Sequence, residues 1–442
     1  MILPDYVKFC LSALENAGFA AYCVGGCVRD AVLGLTPQDF DLCTSALPEQ
    51  TEAVFAGRQL VLAGKKHGTV GVIFDKNVVE ITTFRTEGTY RDNRHPDWVE
   101  FVPNVEEDLA RRDFTVNAMA WSPKRGFADP FGGREDLQNK VLRAVGDPAE
   151  RFREDSLRIL RGLRFAVRYG LQVEDATWQA MLSEKHLMDN LARERVFDEL
   201  CKLLLLVTAE DLLRFGPILA AVIPELEPML GFDQHSPHHA YDLFTHAAHV
   251  VEGVPRELPL RWAALLHDVG KVPTFTRDET GRGHFYGHPK VGAEMADAIL
   301  QRLKAPTALR ERATFLVENH MTKLEPDKKI LRRWLGRLGW EAMDQILTLQ
   351  ESDMGSKGTG KTEGVERIAL LRSLLEEVVE ENSCLSLKDL AVNGHDLMAL
   401  GFRGKDIGET LNRLLEAVID ETVPNEKQAL LAQITPMQGV QL

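Results

Sequence analysis

YCVGGCVRDAVLGLTPQDFDL, residues 22–42, sets two short β-like runs on either side of a turn, a short helix and a second turn. The first run ends in Gly25-Gly26, where the missing Cβ atoms let backbone N–H groups approach a phosphate closely. After the turn at Thr36-Pro37 the second run carries Asp39 and Asp41. Side chains two apart in a strand share a face, so the two carboxylates project together while Phe40 and Leu42 turn to the core. Neighbouring carboxylates repel unless a hard cation neutralises them, and Mg²⁺ is commonly held by one or two carboxylates plus substrate phosphates. The stretch predicts a two-metal site beside a phosphate-binding turn, with Arg29 adding charge.

Working outward, the runs AAYCVGG, DFDLCT, QLVLAG, TVGVIF, NVVEITTF and WVEFV alternate with turns across residues 20–143. NVVEITTF carries Glu80, a third acid on another predicted strand, which completes a carboxylate set. From about residue 147 the pattern is helical, with breaks near Gly170, Pro217, Pro224 and DQHSPHH. The expected fold class is α+β, a mixed α/β head followed by an all-α remainder.

At 442 residues the chain is too long for one ordinary core and suggests about two to four domains. Its net charge of -14 argues against indiscriminate coating of nucleic acid but leaves room for a local basic groove. No run reaches the ~18 apolar residues of a membrane span, and MILPDYVKFCLSALENAGF reads as an amphipathic helix without a basic leader. A cytoplasmic protein without membrane partners is expected. The six cysteines, Cys10, Cys23, Cys27, Cys43, Cys201 and Cys384, show no two-residue gap and read as reduced, buried thiols.

Two further stretches look like phosphate binders. GSKGTGKT, residues 355–362, fits the P-loop letters, but the preceding EAMDQILTLQESDM has helical spacing where a buried strand is required, so it reads as a linker. In EDSLRILRGLRFAVR, Arg158, Arg161, Arg164 and Arg168 fall within about 120° on a helix, opposite Ile159, Leu160, Leu163, Ala166 and Val167. Four arginines without lysine favour planar recognition of phosphates or base edges. Asp155 and Arg158, three apart, set an acceptor beside a donor fork.

The ordered set of GG, RD and DxD, then GKKHGT (64–69), EEDLARRDFTVNA (106–118), DPFGG (129–133) and RFREDSLRILRGLRF (151–165), resembles the class II tRNA nucleotidyltransferase and bacterial poly(A) polymerase superfamily along essentially the whole chain. The resemblance implies a polymerase-beta-like head in which Asp39 and Asp41 hold Mg²⁺, with Glu80 completing the catalytic set. It also implies that Gly25, Gly26, Arg29, Arg111, Arg112, Asp113 and Asn117 hold the triphosphate and ribose. Asp155 and Arg158 match the family's base-reading EDxxR motif, with Arg161 and Arg164 beside them. Poly(A) polymerases of this superfamily carry Gly-Lys/Arg-Lys/Arg-Phe where this chain reads Gly64-Lys65-Lys66-His67-Gly68, which favours CCA addition. RTEGTYRDNRHPDW (85–98) resembles the segment that CCA enzymes use to switch from C to A.

In the second half, YDLFTHAAHV, LRWAALLHDVGK, GHFYGHPKVGAE, LVENHM and LQESDM supply His246, His267, Asp268, His288, His320 and Asp353. An adjacent His-Asp after an apolar helix, with flanking histidines and a late Asp, resembles the HD phosphohydrolase superfamily in its histidine-rich form. His284 is a second candidate for the His288 position, but His288-Pro289 with Gly292 fits that pattern better. Imidazole and carboxylate together suit Mn²⁺, Ni²⁺, Fe or Zn²⁺.

These readings predict a nucleotidyltransferase head (1–145), a neck of RNA- and base-recognition helices (146–235), an HD domain (236–355) and a tRNA-binding helical tail (365–442). The expected activity is template-independent addition of CCA to tRNA from CTP and ATP, with a second phosphohydrolase activity. The alternatives are an A-adding enzyme or poly(A) polymerase and, from another class, an RNA-end phosphohydrolase whose head only binds. Nothing in the sequence sets the oligomeric state.

Overall fold

The computed structural model describes residues 1–88, 98–236, 240–358, 363–381 and 384–434. Its strands include β1 (Ala21–Val24), β2 (Leu42–Thr44), β3 (Leu60–Val61), β4 (Thr69–Phe74), β5 (Asn77–Thr83), β6 (Arg85–Glu87), β7 (Val99–Phe101), β8 (Ala120–Ser122) and β9 (Gly126–Ala128). Seven of them form one sheet in the order β3-β4-β5-β2-β1-β8-β9. Every pairing in it is antiparallel except β2 with β5. That parallel contact needs a crossover, and the helix Pro48–Val54 lies in the connection. β6 and β7 make a separate antiparallel ribbon, and most of the 85–98 loop that it brackets lies outside the described residues.

The chain divides into two compact units. The first comprises Met1–Val207, Arg214–Glu227 and Arg302–Lys304. Its head core gathers Val24, Cys43, Phe84, Leu109, Ala118 and Ala120, the inward side chains of the sheet and of the segment after β7. Beyond the sheet come the helices Pro148–Glu154, Leu157–Tyr169, Asp175–Glu184 and Arg193–Leu204. Asp147 starts the first of them by accepting from Glu150 N, with Pro148 at a position where a missing N–H costs nothing. Gly170, at φ +61°, ends the second. Pro217, expected as a break, lies inside the helix Ala209–Val222.

The second unit comprises Thr208–Leu213, Pro228–Gln301 and Ala305–Leu442. Leu243–Gly253, Leu258–Leu266, Thr307–Asn319 and Trp340–Gly355 pack around a core that includes fully buried Trp262. Two later apolar clusters follow, one around Leu331, Leu347, Leu371 and Val378 and one around Val392, Leu397, Leu414 and Leu430. Residues 276–284 form a short hairpin in which Thr276–Arg277 pairs with Gly283–His284. Within the expected all-α remainder, Gln172–Val173 forms a two-residue parallel pairing with Val141–Leu142 at the end of the head. All six cysteines are free and buried. No helix among the described residues is long and apolar enough to cross a membrane.

Candidate active site and metal centre

Asp39 and Asp41 stand just ahead of β2 and not within it, since the strand begins at Leu42. The strand-like alternation nevertheless persists, because Val24 N donates to Asp41 O at 3.0 Å and extends the β1 pairing. Phe40 and Leu42 are buried, and Asp39 and Asp41 are exposed. Register then brings in the third acid: Leu42 pairs with Ile81 in β5, so the preceding residues Asp41 and Glu80 are neighbours on the outer face. Solvent reaches Asp41, yet partial desolvation by the surrounding protein raises its carboxyl pKa. Glu80 and Asp39 add repulsion, against which Arg112 works.

Next to the acids, Gly25 takes φ +72°, and a Cβ there would stand 3.0 Å from Arg112 Nη1. Glycine is thus required both by the backbone and by the close guanidinium. Arg29, expected to add charge at the turn, is instead buried and tied down. It donates to Asn117 Oδ1 at 2.5 Å and to Asp30 Oδ1 at 2.7 and 2.9 Å, and lies 4.2 Å from the Tyr169 ring centroid. Arg111 and Arg112 both pair with fully buried Asp108, at 2.7 and 3.3 Å. Burial opposes the Asp108 charge, but the two guanidinium groups outweigh it and lower its pKa.

Asp113 is buried as well. Its Oδ2 accepts from Arg161 Nε and Nη2 at 3.0 and 2.8 Å, and its Oδ1 from Phe114 N and Asn117 Nδ2 at 2.9 and 3.1 Å. Burial alone would raise this carboxyl; Arg161, then Asn117 and Arg158, bring it down to about 2.

The predicted base-reading pair, Asp155 and Arg158, differs from its sequence picture. Asp155 is not on a helix with Arg158: the first helix ends at Glu154, the next begins at Leu157, and Asp155 sits between them in extended backbone. Its Oδ2 accepts from Arg195 Nη2 at 2.8 Å, and its Oδ1 from Leu157 N at 3.1 Å. Arg158 donates to Glu154 Oε2 at 2.6 Å and to the carbonyls of Arg151 and Arg111. The expected open guanidinium stripe is corrected too. Arg158 and Arg164 are buried, Arg164 pairs with Glu199 at 2.6 Å, and only Arg168 is exposed. Burying an arginine is favourable only with a partner, and each buried one has an acid. Sequence reasoning missed Glu154, Arg195, Glu199 and Asp108. Glu154 was findable from its i,i+4 spacing to Arg158, but Arg195 and Glu199 reach their partners from 40 and 35 residues away.

In the second unit the six predicted residues converge from five segments. His246 lies in Leu243–Gly253, His267 and Asp268 follow Leu258–Leu266, and His288 opens His288–Arg302. His320 follows Thr307–Asn319, and Asp353 lies in Trp340–Gly355. All six are buried. Asp268 is central: His267 Nε2 lies 3.1 Å away, His288 Nε2 3.5 Å, His246 Nε2 3.7 Å and His320 Nε2 3.8 Å. His246 Nε2 is also 3.0 Å from Asp353 Oδ1. Helix approach is close here, since a Cβ on Gly270 would stand 2.4 Å from His288 O.

Each of the four histidines contacts a backbone carbonyl through Nδ1: Ser356 O at 3.1 Å, Ala264 O at 2.8 Å, Phe285 O at 2.8 Å and Val317 O at 2.6 Å. A carbonyl can only accept, so each Nδ1 carries the proton and every neutral ring turns an Nε2 lone pair inward. Burial lowers the pKa of His288 and takes His320 down to about 4, so both stay neutral although their Nε2 atoms are 3.2 Å apart. His267 Nε2 and Asp268 Oδ2 have no well-directed hydrogen-bond partner. Nε2 atoms turned inward around a buried carboxylate, with the outer nitrogens fixed on carbonyls, suit a transition metal; burial opposes a charge on His267, but the adjacent Asp268 outweighs it and raises its pKa. The structure places His284 elsewhere, hydrogen-bonded to Asp278. It adds Lys271, unnoticed in the sequence, whose Nζ lies 2.7 Å from Asp268 Oδ2.

Comparison with known proteins covers both halves of the chain. Residues 21–143 match the Poly A polymerase head domain, residues 170–230 the probable RNA and SrmB-binding site of polymerase A, and residues 290–434 a putative tRNA nucleotidyltransferase domain 2. The CCA-adding enzyme of Bacillus velezensis is 32% identical over 419 residues, 94% of each chain. The chain belongs to the CCA-adding enzyme family. That of Streptococcus thermophilus is 32% identical over 99% of both chains. Among solved structures, the CCA-adding enzyme of Bacillus stearothermophilus in complex with CTP aligns at TM-score 0.67 and 26% identity, over 98% of this chain and 97% of its own. The Thermotoga maritima CCA-adding enzyme complexed with tRNA shares the fold at TM-score 0.61 and 20% identity. The family places the chain among nucleotidyltransferases, with the mixed head and helical remainder expected from the sequence.

Proposed function

We propose that this chain extends tRNA 3′ ends without a template, transferring CMP, CMP and AMP in turn from CTP and ATP. The observation that carries the mechanism is the like-charged trio of Asp39, Asp41 and Glu80: desolvation first, and then repulsion from Glu80 and Asp39, raises Asp41, and such a set suits a hard cation. Asp39 and Asp41 would hold Mg²⁺, with Glu80 beside them. The bound ions would supply activation of the tRNA 3′-hydroxyl and neutralisation of the leaving pyrophosphate. Gly25 and Gly26 leave backbone room for the triphosphate. Asp155 and Arg158 read the incoming base, while Arg195 and Glu154 keep these readers oriented between turnovers. Asp113 and Asn117 act from behind, holding Arg161 and Arg29 in place. The helices after residue 145 and the tail from 365 grip the tRNA. Incubation with tRNA lacking CCA, one nucleotide at a time and then together, tests this reading. Addition of A alone, or an unlimited A tail, would favour the A-adding or poly(A) alternatives.

A second activity follows from the histidine-aspartate cluster. The inward Nε2 atoms of His246, His267, His288 and His320, with Asp268 and Asp353, would hold Mn²⁺, Ni²⁺, Fe or Zn²⁺. A metal held there would supply, by acidifying bound water to a pKa of ~7, hydroxide for phosphoester cleavage. Metal analysis of protein purified without chelator, followed by phosphate-release assays with added Mn²⁺, Ni²⁺ or Co²⁺, tests it.

A further inference from the structure

We propose that Tyr169 is a positioning residue for nucleotide addition: through Arg29 it sets the helix behind the Gly25-Gly26 turn against the helix that carries Arg158, and so fixes the spacing between the triphosphate and the base of the incoming nucleotide. This role rests on the reading of that turn as the triphosphate site and of Asp155 and Arg158 as base readers.

A nucleotide gripped at both ends is aligned for attack only if the two grips keep a set separation. Here they belong to different elements. The Gly25-Gly26 turn runs into the helix Gly26–Val32, where Arg29 N donates to Gly25 O at 3.0 Å. Asp155 and Arg158 stand at the start of Leu157–Tyr169, and Tyr169 closes its last turn. Arg29 joins the two helices. Its Nη2 donates to Tyr169 Oη, and its guanidinium lies 4.2 Å from the Tyr169 ring centroid and 5.4 Å from that of Phe165. Arg29 does not need Tyr169 to offset its burial, because Asp30 Oδ1 and Asn117 Oδ1 already accept from it. What Tyr169 adds is the link to the neck helix.

That link closes a ring of polar bonds. Arg161 donates to Asp113 Oδ2 at 3.0 and 2.8 Å, Asp113 Oδ1 accepts from Asn117 Nδ2 at 3.1 Å, and Asn117 Oδ1 accepts from Arg29 Nη1 at 2.5 Å. Arg29 then returns to Tyr169, on the same helix as Arg161. The helix is thereby pinned at two points. At ~1.5 Å rise per residue, Tyr169 lies about 12 Å from Arg161 and Arg158 about 4.5 Å from it on the other side. Without Tyr169 the Arg161–Asp113 pair becomes a pivot, the long arm is released from Arg29, and the short arm with Arg158 shifts by a fraction of that movement. Arg158 keeps its bond to Arg111 O, which limits the shift but does not restore the register with Arg29. A misplacement of about 1 Å can cost about 10²-fold in rate, so a fraction of it predicts a loss of about tenfold.

The test measures CMP addition to a tRNA lacking CCA by the full chain, with rates referred to the fraction of protein that binds CTP so that a poorly folded variant is not counted as slow. Tyr169→Leu should lower kcat about tenfold and leave KM for CTP within about threefold, since both grips survive and only their separation changes. Tyr169→Phe keeps the ring beneath the guanidinium and should recover most of the rate. Arg29→Lys loses the planar fork and its stacking and should slow addition by itself. Adding Tyr169→Leu to it should cost little more, because two groups that act through one contact are not additive. A loss that falls on KM instead of kcat, a Tyr169→Leu variant as fast as the parent, or losses that multiply in the double variant overturn the role. Failure of the parent chain to add CMP at all overturns the functional reading on which the role stands.

Discussion

Replacing Arg161 by Met leaves Asp113 as a buried carboxylate, 8% exposed, without its main counter-charge. In the folded protein Asp113 titrates at about 2, against an ordinary 3.8. A difference of about 1.8 pH units at 1.36 kcal/mol each corresponds to about 2.5 kcal/mol of stabilisation. Because the folded pKa is depressed, that stabilisation is fully present above pH 3.8 and is lost as the pH falls through about 2. Breaking a fully buried pair costs about 3–5 kcal/mol. The Arg161 side chain is 36% exposed, so water softens the loss to about 2–3 kcal/mol at pH 7. With the guanidinium gone, burial is opposed only by Asn117 and Arg158, so the Asp113 pKa rises from about 2, and the penalty shrinks as the pH falls and the carboxyl takes up a proton. Two compact units make one global unfolding energy ill-defined. Native-state hydrogen exchange of the amides of Phe114, Asn117 and Ala118, which are bonded within this loop, reads the effect locally. Arg161→Met should lower their protection by that amount at pH 7 and by less at pH 4.5, and Asp113→Asn added to it should restore most of the loss. Unchanged protection at pH 7, or a loss independent of pH, would refute the argument.

Asp39→Ala or Asp41→Ala should abolish nucleotide addition while tRNA affinity stays within a few fold; primer extension and filter binding on one preparation check both. Asp155→Ala or Arg158→Ala should relax discrimination against UTP and GTP, by about 1–3 kcal/mol for a lost polar partner. Arg195→Ala should act in the same direction more weakly, since it removes one of the two hydrogen bonds that orient Asp155 and leaves that from Leu157 N, and misincorporation assays with single nucleotides decide it. Lys361→Ala should leave ATP affinity and incorporation unchanged. GSKGTGKT follows the helix Trp340–Gly355 and not a strand, and Lys361 itself lies outside the described residues. His267→Ala with Asp268→Ala should remove bound metal and phosphoester hydrolysis yet spare CCA addition, which metal analysis and tRNA extension report separately.

The legible parts of this protein were those that local chemistry encodes. Strand period set Asp39 and Asp41 on the outer face and Phe40 and Leu42 inside, and the helical spacing before GSKGTGKT excluded the strand that a phosphate loop needs. That His246, His267, Asp268, His288, His320 and Asp353 belong together was also readable, because an adjacent His-Asp with four more such residues spread along the chain is an improbable set for a helical core, and the fold brings all six to one place. Tertiary structure alone decided which charges remain available. Arg158, Arg161 and Arg164 looked like part of an open stripe and Arg29 like free charge at the turn, but Glu154, Asp113, Glu199 and Asn117 engage them. A guanidinium leaves water only where an acceptor meets it. Three of those four partners lie 35 to 88 residues away, beyond any helical or strand period. The helix break at Asp155 belongs with them: its carboxylate bonds Arg195 from 40 residues away and Leu157 N from two, and only the folded chain brings both to one place.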